Sequence, residues 1–284
     1  MEIEEFTELT FEVQAGVASV VLNRPERRNA WSGRMAVEYR WALYHAHTRD
    51  DVRVVVVSGA GGDFCVGADS KLLNSIADGN GSYSPERLPL PPFPDDTPEA
   101  LRRNHAYPLT ISTPVIAAVA GACAGAGFLV ATYTDVRIVA NDARITTSFA
   151  KLGLPAEYGL GWLLPRMIGI SNSVDLLYSS RIVDGDEAVR LGWAQGSCVA
   201  EDLLDRALEG ARTLARQSSG ESLRMMKRQL FIDSTGGFGE AYARSVADMN
   251  EALGGSDFAE GLAALREGRA TDFLSARRKP GEHV

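Results

Sequence analysis

Three apolar runs constrain this chain more than anything else in it. Val52 to Ser58 reads VRVVVVS, and Val115 to Val119 and Val136 to Val139 repeat the pattern. A strand with one face to water alternates apolar and polar residues. A run that stays apolar at successive positions predicts a strand buried on both faces, the habit of a parallel sheet. Helical periodicity fills the stretches between the runs, and this alternation of strand and helix predicts an α/β fold. Upstream, residues 8–14 and 17–23 are rich in β-formers and meet at Ala15-Gly16, which predicts a hairpin. Ser32 then stands as an N-cap for a helix through residue 48, with Met35, Tyr39, Ala42, Leu43 and Ala46 on one face.

Two stretches break the rhythm. Residues 72–109 carry Gly79-Asn80-Gly81 and then Leu88-Pro-Leu-Pro-Pro-Phe-Pro94. A loop of this length inside a compact domain is a lid, a pocket wall or a tolerated insertion. From residue 201 the strand signal stops. Segments 201–217, 220–232, 239–252 and 258–268 read as helices, so the chain divides into an α/β core, 1–200, and a helical C-terminal region, 201–284.

The net charge of −8 excludes a general nucleic-acid binder, which needs a basic face. A few local cations can still hold an anionic small ligand. The three cysteines, Cys65, Cys123 and Cys198, form no CxxC pair and read as free thiols of a reducing compartment. The acidic start, Met1-Glu2-Ile3-Glu4-Glu5, is not a signal peptide, and no apolar run approaches the roughly 18 residues of a membrane span. These features predict a cytoplasmic protein. His45, His47, His105 and His283 are scattered and predict no metal site.

Chemistry concentrates in two Gly-rich turns, each entered from an apolar strand. The first is Gly59-Ala-Gly-Gly-Asp-Phe-Cys-Val-Gly67-Ala68-Asp69, and the second ends Gly121-Ala-Cys-Ala-Gly125-Ala126-Gly127. Small residues let a ligand approach the backbone, and a helix start offers free N–H groups at its positive dipole end. Two such turns side by side can aim two donors at one oxygen, as in an oxyanion hole, or can hold a phosphate. Neither turn fits the GxxxxGK[ST] pattern of a P-loop, nor the spacing of a dinucleotide fingerprint.

Several ordered segments together resemble the crotonase, or enoyl-CoA hydratase/isomerase, superfamily over nearly the whole chain. They are Leu22-Asn-Arg-Pro-Glu-Arg-Arg-Asn-Ala30, Val54 to Asp69, Pro114 to Asp135, Ala143 to Gly169 with Leu152-Gly-Leu154 and Leu164-Pro-Arg166, Ala188 to Gly192, and Phe273 with its basic tail. The resemblance implies a spiral of ββα units, a C-terminal helical trimerisation region, and a homotrimer or dimer of trimers. It implies an acyl-CoA thioester as substrate, CoA arriving as part of it and no separate cofactor being needed. Ala68 and Ala126 fall at the two oxyanion donor positions. Ala126 replaces the family's usual Gly, which is harmless to a backbone donor provided its φ is negative. Lys71 matches a contact to the nucleotide end of CoA, with Arg27, Arg28 and Arg278 as further candidate cations.

The acid/base positions depart from the simplest family pattern. Hydratases of the best-known type use two glutamates, and Leu129 and Phe149 stand in their places, suggesting a greasy acyl pocket. Glu157, in Leu152-Gly-Leu-Pro-Ala-Glu-Tyr-Gly159, resembles the position from which enoyl-CoA isomerases supply one carboxylate. One carboxylate suffices to take a proton from C2 and return it at C4, and burial would raise its pKa toward neutrality. Asp69 reads as a helix cap, Tyr107 and Tyr158 as packing or substrate contacts, and Cys65 as inert. Double-bond isomerisation is the leading expectation. Hydratase-like chemistry, dienoyl isomerisation, thioester hydrolysis and a silent acyl-CoA binder are the alternatives.

Overall fold

A computed structural model describes residues 1–79, 88–233 and 236–273. Its first two strands, β1 (Leu9–Gln14) and β2 (Val17–Leu22), pair antiparallel. The turn between them holds Ala15 at φ 51° and Gly16 at φ 80°. Positive φ at both central residues matches the twist of the flanking strands, and Gly accepts it without strain. Helix α1 (Gly33–Thr48) starts where expected, with the Ser32 side chain accepting from the Met35 N–H at 3.0 Å.

Strands β3 (Val54–Gly59), β4 (Val115–Val119), β6 (Val136–Ala140) and β8 (Gly196–Cys198) join β2 in parallel, in the order β1-β2-β3-β4-β6-β8. Val54, Val55, Val56 and Val57 are all buried, as are Val115 to Val119. The apolar runs are therefore the central strands, covered on both faces. Two short strands, β5 (Ala122–Ala124) and β7 (Arg144–Thr146), form a second parallel pair. Isolated bridges extend this layer: Trp31 to Ala68, Cys65 to Cys123, and Ile145 to Val183.

The layer of short segments gives the fold its repeat. Each turn of the chain lays one long strand in the large sheet and one short segment in the second layer, then starts a helix. The first turn leads into α2 (Ser70–Ala77), the second, after the short α3 (Tyr107–Thr110), into α4 (Ala126–Thr132), and the third into α5 (Leu160–Ser179). This is the expected spiral of ββα units, reached without a repeat in the sequence because backbone pairing, not side-chain identity, carries it. Helix α5 bends at Gly169, whose φ of 77° and ψ of 160° are non-helical. The expected long loop is more ordered at its ends than the sequence suggested. Residues 70–77 and 107–110 are helical, while 80–87 lie outside the described residues.

Helix α6 (Gly185–Arg190) leads to β8, and α7 (Leu203–Gln217) then packs across β3 and β4 through the buried Ala207, Ala211 and Ala215. Alanines at i, i+4 and i+8 let the helix lie close to the sheet. Helices α8 (Gly220–Phe231), α9 (Phe238–Leu253) and α10 (Ser256–Glu267) follow. A buried ion pair ties α8 to the core. The Lys227 ammonium donates to Asp135 at 2.8 Å and to the Thr113 carbonyl at 3.0 Å, and Asp135 also accepts from the Val115 N–H at 2.7 Å. Removing the lysine would leave the half-sealed carboxylate without its counter-charge. We expect Lys227→Ala to lower stability by about 3–5 kcal/mol in urea denaturation; a loss under about 1 kcal/mol would show that the pair is not holding α8.

Candidate active site

Successive turns of the spiral pair side by side in the second layer. The first passes through Gly67-Ala68-Asp69. Trp31 pairs with this segment by donating to the Gly67 carbonyl at 2.7 Å and accepting from the Asp69 N–H at 3.0 Å. In a parallel bridge of this kind the residue between those bonds turns its own N–H to the opposite side. The Ala68 N–H accordingly points away from Trp31. Asp69 caps α2, accepting from the Lys71 N–H at 2.9 Å, and pairs with Arg24 at 2.9 Å. Burial alone would raise its pKa, but the Lys71 N–H and the Arg24 guanidinium hold it below the usual carboxylate value. The expected structural role of Asp69 is what the structure has. Arg24 also bonds the Ala30 carbonyl at 2.7 Å and Glu8 at 3.2 Å. Its part in fixing this turn was hidden in the sequence, because its partners lie up to 45 residues away.

The second turn enters α4 through Gly125 and Ala126. Gly125 carries the unusual backbone, φ 48° and ψ −111°, while Ala126 is not among the residues of positive φ. The condition set by the Gly-to-Ala departure is met, since the left-handed step falls one residue earlier. Ala126 opens the helix, where an N–H has no intrahelical acceptor. Among the described residues, neither the Ala68 nor the Ala126 N–H donates to the protein.

These two turns are in direct contact. Cys65 and Cys123 bridge, with Cys65 N–H to Ala122 carbonyl and Ala124 N–H to Cys65 carbonyl both at 3.0 Å. A Cβ on Gly125 would lie 3.8 Å from Gly67 Cα. At Gly127 a Cβ would collide with the Cys65 carbonyl, so only glycine fits there. Cys65 itself is fully buried, and burial pushes its thiol up to about 12, which leaves it un-ionised and inert.

The third turn brings Glu157. The segment before α5 places Tyr158 at φ 46°, and the Tyr133 hydroxyl donates to its carbonyl at 2.5 Å. Glu157 is half-buried, and burial raises its carboxyl above the usual range. Its carboxylate makes no ion pair or hydrogen bond among the described residues.

An apolar cavity opens between α1, α4 and the chain from Leu90 to Pro108. Trp31, Leu43, Leu72, Leu129, Val130 and Tyr133 supply much of its wall. Leu129 lines this cavity. Phe149 is buried in the core and is not among the lining residues; nor is Glu157, whose neighbour Tyr158 accepts at its carbonyl from Tyr133 of the wall. The long-loop segment is a pocket wall in its described part. Arg40, under the rings of Phe93 and Tyr107 at 4.1 and 4.7 Å, pins that segment by bonding the Pro91 carbonyl and Asn104, both at 2.6 Å. His105, one of four histidines scattered in the sequence, lines the cavity and stacks on Tyr158 at 3.9 Å. Only the fold brings those two together, across 53 residues.

The candidate CoA cations are distributed unevenly. Arg27 and Lys71 are exposed beside the first turn. Arg28 is exposed too, yet it pairs with Asp63 at 2.7 Å, and Asp63 accepts from the Ala122 N–H at the same distance. Arg28 thus clamps the two turns rather than standing free. Arg278 lies outside the described residues.

Comparison with known proteins agrees with this architecture. The family model for enoyl-CoA hydratase/isomerase matches residues 12–276. A probable enoyl-CoA hydratase of Mycobacterium leprae is 34% identical over 266 residues, 92% of this chain and 87% of that protein. A 1,2-epoxyphenylacetyl-CoA isomerase of Escherichia coli is 33% identical over 208 residues, 72% of this chain and 75% of that protein. The crystal structure of a probable enoyl-CoA hydratase/isomerase from Mycobacterium abscessus superposes with a TM-score of 0.81 at 28% identity, covering 94% of this chain and 99% of the other. The fold is that of the crotonase superfamily. The chain belongs to the enoyl-CoA hydratase/isomerase family.

The thiols give a direct check on the packing of the first two turns. Cys65 and Cys123 are buried and Cys198 is half-buried. Titrating the native protein with a disulfide reagent near pH 8 should consume at most one thiol, and three after unfolding. Fast modification of Cys65 would mean that the two turns separate in solution.

Proposed function

We propose that this enzyme shifts a double bond in an acyl-CoA thioester, with Glu157 as the single acid/base. Removing a proton from C2 places negative charge on the thioester oxygen. Two backbone donors, Ala68 and Ala126, stabilise that enolate, and because the donors are fixed, little reorganisation opposes the reaction. Glu157 then returns the proton at C4. Neutral carboxyl and carboxylate must both be accessible during turnover, and a raised pKa brings them closer together near neutral pH.

The observation that carries this reading is the difference between Asp69 and Glu157. Asp69 is occupied as cap and ion-pair partner, whereas Glu157 is unpaired and half-buried. Leu129 and Phe149, at the positions of a hydratase's two glutamates, are both buried hydrocarbon and cannot move protons. A relative that isomerises an acyl-CoA lends support to this side of the family, and a relative described as a hydratase supports hydratase-like turnover with one carboxylate as the second reading. Arg27 and Lys71 would meet the CoA phosphates, with Arg278 joining from the tail. The apolar side chains left exposed on α9 and α10, Phe238 at 85% and Leu265 at 78% among them, would be covered in a homotrimer or a dimer of trimers.

Glu157→Gln should lower kcat for 3-enoyl-CoA to 2-enoyl-CoA conversion by about 100-fold or more. Only the ionised carboxylate accepts the C2 proton, so wild-type kcat/KM should fall as pH drops through the raised Glu157 value. That acid limb should vanish in the variant. Equal turnover by both proteins would remove Glu157 from the mechanism, and binding without turnover of 3-enoyl- or 2-enoyl-CoA would favour a silent binder or thioester hydrolysis.

The donors can be tested without touching a side chain. Proline is accepted at the first position of a helix but lacks an N–H. Ala126→Pro should therefore keep the fold and lose about 100- to 1000-fold in kcat. Retained activity in a folded Ala126→Pro protein would contradict the assignment.

A further inference from the structure

We propose that His105 contacts the substrate and selects acyl groups that carry a hydrogen-bonding oxygen. This rests on the reading of the apolar cavity as the acyl site, and it concerns what that site recognises.

The cavity wall is mostly hydrocarbon and aromatic, its hydroxyls are engaged or sealed, and the Trp31 Nε1 and Asn104 Nδ2 that remain can only donate. The Ser32 hydroxyl bonds Glu8 and accepts from the Met35 N–H. The Asn104 carbonyl accepts from Arg40, the Tyr107 hydroxyl donates to the Pro92 carbonyl at 3.3 Å, and the Tyr133 hydroxyl donates to the Tyr158 carbonyl. The Tyr39 hydroxyl and the Arg40 Nε have no partner, but both are sealed inside the protein. The His105 ring is the group that can offer an acceptor as well as a donor. It faces the cavity, is not sealed, and has no hydrogen bond on either nitrogen among the described residues.

Its orientation is fixed. The imidazole lies 3.9 Å from the Tyr158 ring at an interplanar angle of 28°, and Tyr158 is in turn held by Tyr133. Burial pushes its pKa down to about 4, so the ring is neutral near physiological pH. A neutral imidazole offers one donor and one acceptor. It can therefore meet a hydroxyl or a carbonyl without a buried charge. An unsatisfied polar group in a hydrocarbon wall is destabilising when the site fills with hydrocarbon alone. A site built this way discriminates against a ligand lacking the matching oxygen. The ring-lined wall, with Trp31, Tyr107 and Tyr133, suits a flat acyl group.

The test compares dissociation constants by calorimetry for phenylacetyl-CoA and its 2-, 3- and 4-hydroxyphenyl counterparts. No turnover is needed, so the outcome does not depend on which reaction the enzyme performs. At least one hydroxylated isomer should bind wild type at least tenfold more tightly than phenylacetyl-CoA. His105→Leu should close that gap to within threefold while binding phenylacetyl-CoA at least as tightly as wild type, which also reports a folded site. His105→Gln, which retains a donor and an acceptor, should recover part of the preference. A wild type that binds all four within threefold of one another overturns the inference and leaves the acyl-CoA reading intact, as does a preference that survives His105→Leu. Binding of none of the four overturns both.

Discussion

The site depends on how closely two backbone turns approach each other. Cys65 and Cys123 pair across successive turns of the spiral, and the Cys65 carbonyl lies where a side chain at residue 127 would have to be. Glycine at 67, 125 and 127 lets the chain pack backbone against backbone there. Ala68 and Ala126 sit immediately beyond this contact, so their N–H groups are held by main-chain pairing and not by side-chain packing. Arg24, Asp69, Arg28 and Asp63 brace the same contact from outside. Under the proposed function, donors fixed in this way would keep their direction whatever acyl group entered, as a frame that serves many reactions requires.

Chemical identity then rests with what surrounds the fixed donors. The third turn of the spiral contributes Glu157, and the long excursion between α2 and β4 contributes His105 and the Arg40-pinned wall. These come from different parts of the chain and meet at Tyr158, which stacks on His105 and is bonded by Tyr133. Glu157, with its carboxyl raised by burial, and His105, with its imidazole held neutral by burial, are both shifted toward the uncharged form by one apolar environment.

The legible part of the fold was the part governed by local periodicity. The valine runs at 54–57 and 115–119, the Ala15-Gly16 turn and the Ser32 cap each announce themselves over a few residues, and the structure has them there. The Gly-rich turns were legible as backbone features because glycine is the residue that such contacts demand. What the sequence withheld depends on distance along the chain. The Arg28–Asp63 pair spans 35 residues, and the Arg40 contacts to Pro91 and Asn104 span 51 and 64. Phe149, which its motif position sets beside an acyl pocket, is buried in the core and is not among the residues lining the cavity. His105 had no local signal at all.

The most direct measurement is hydrogen exchange at C2. Phenylacetyl-CoA has no double bond to move, but it has an acidic C2 proton, and proton removal followed by return from D2O would label that carbon. Following the C2 signal by NMR in D2O asks only whether the protein makes and quenches a thioester enolate. Exchange catalysed by wild type and absent with Glu157→Gln is the expected result. Exchange at the wild-type rate in the variant, or none in a wild type that binds the thioester, would contradict an enolate formed between Ala68, Ala126 and Glu157.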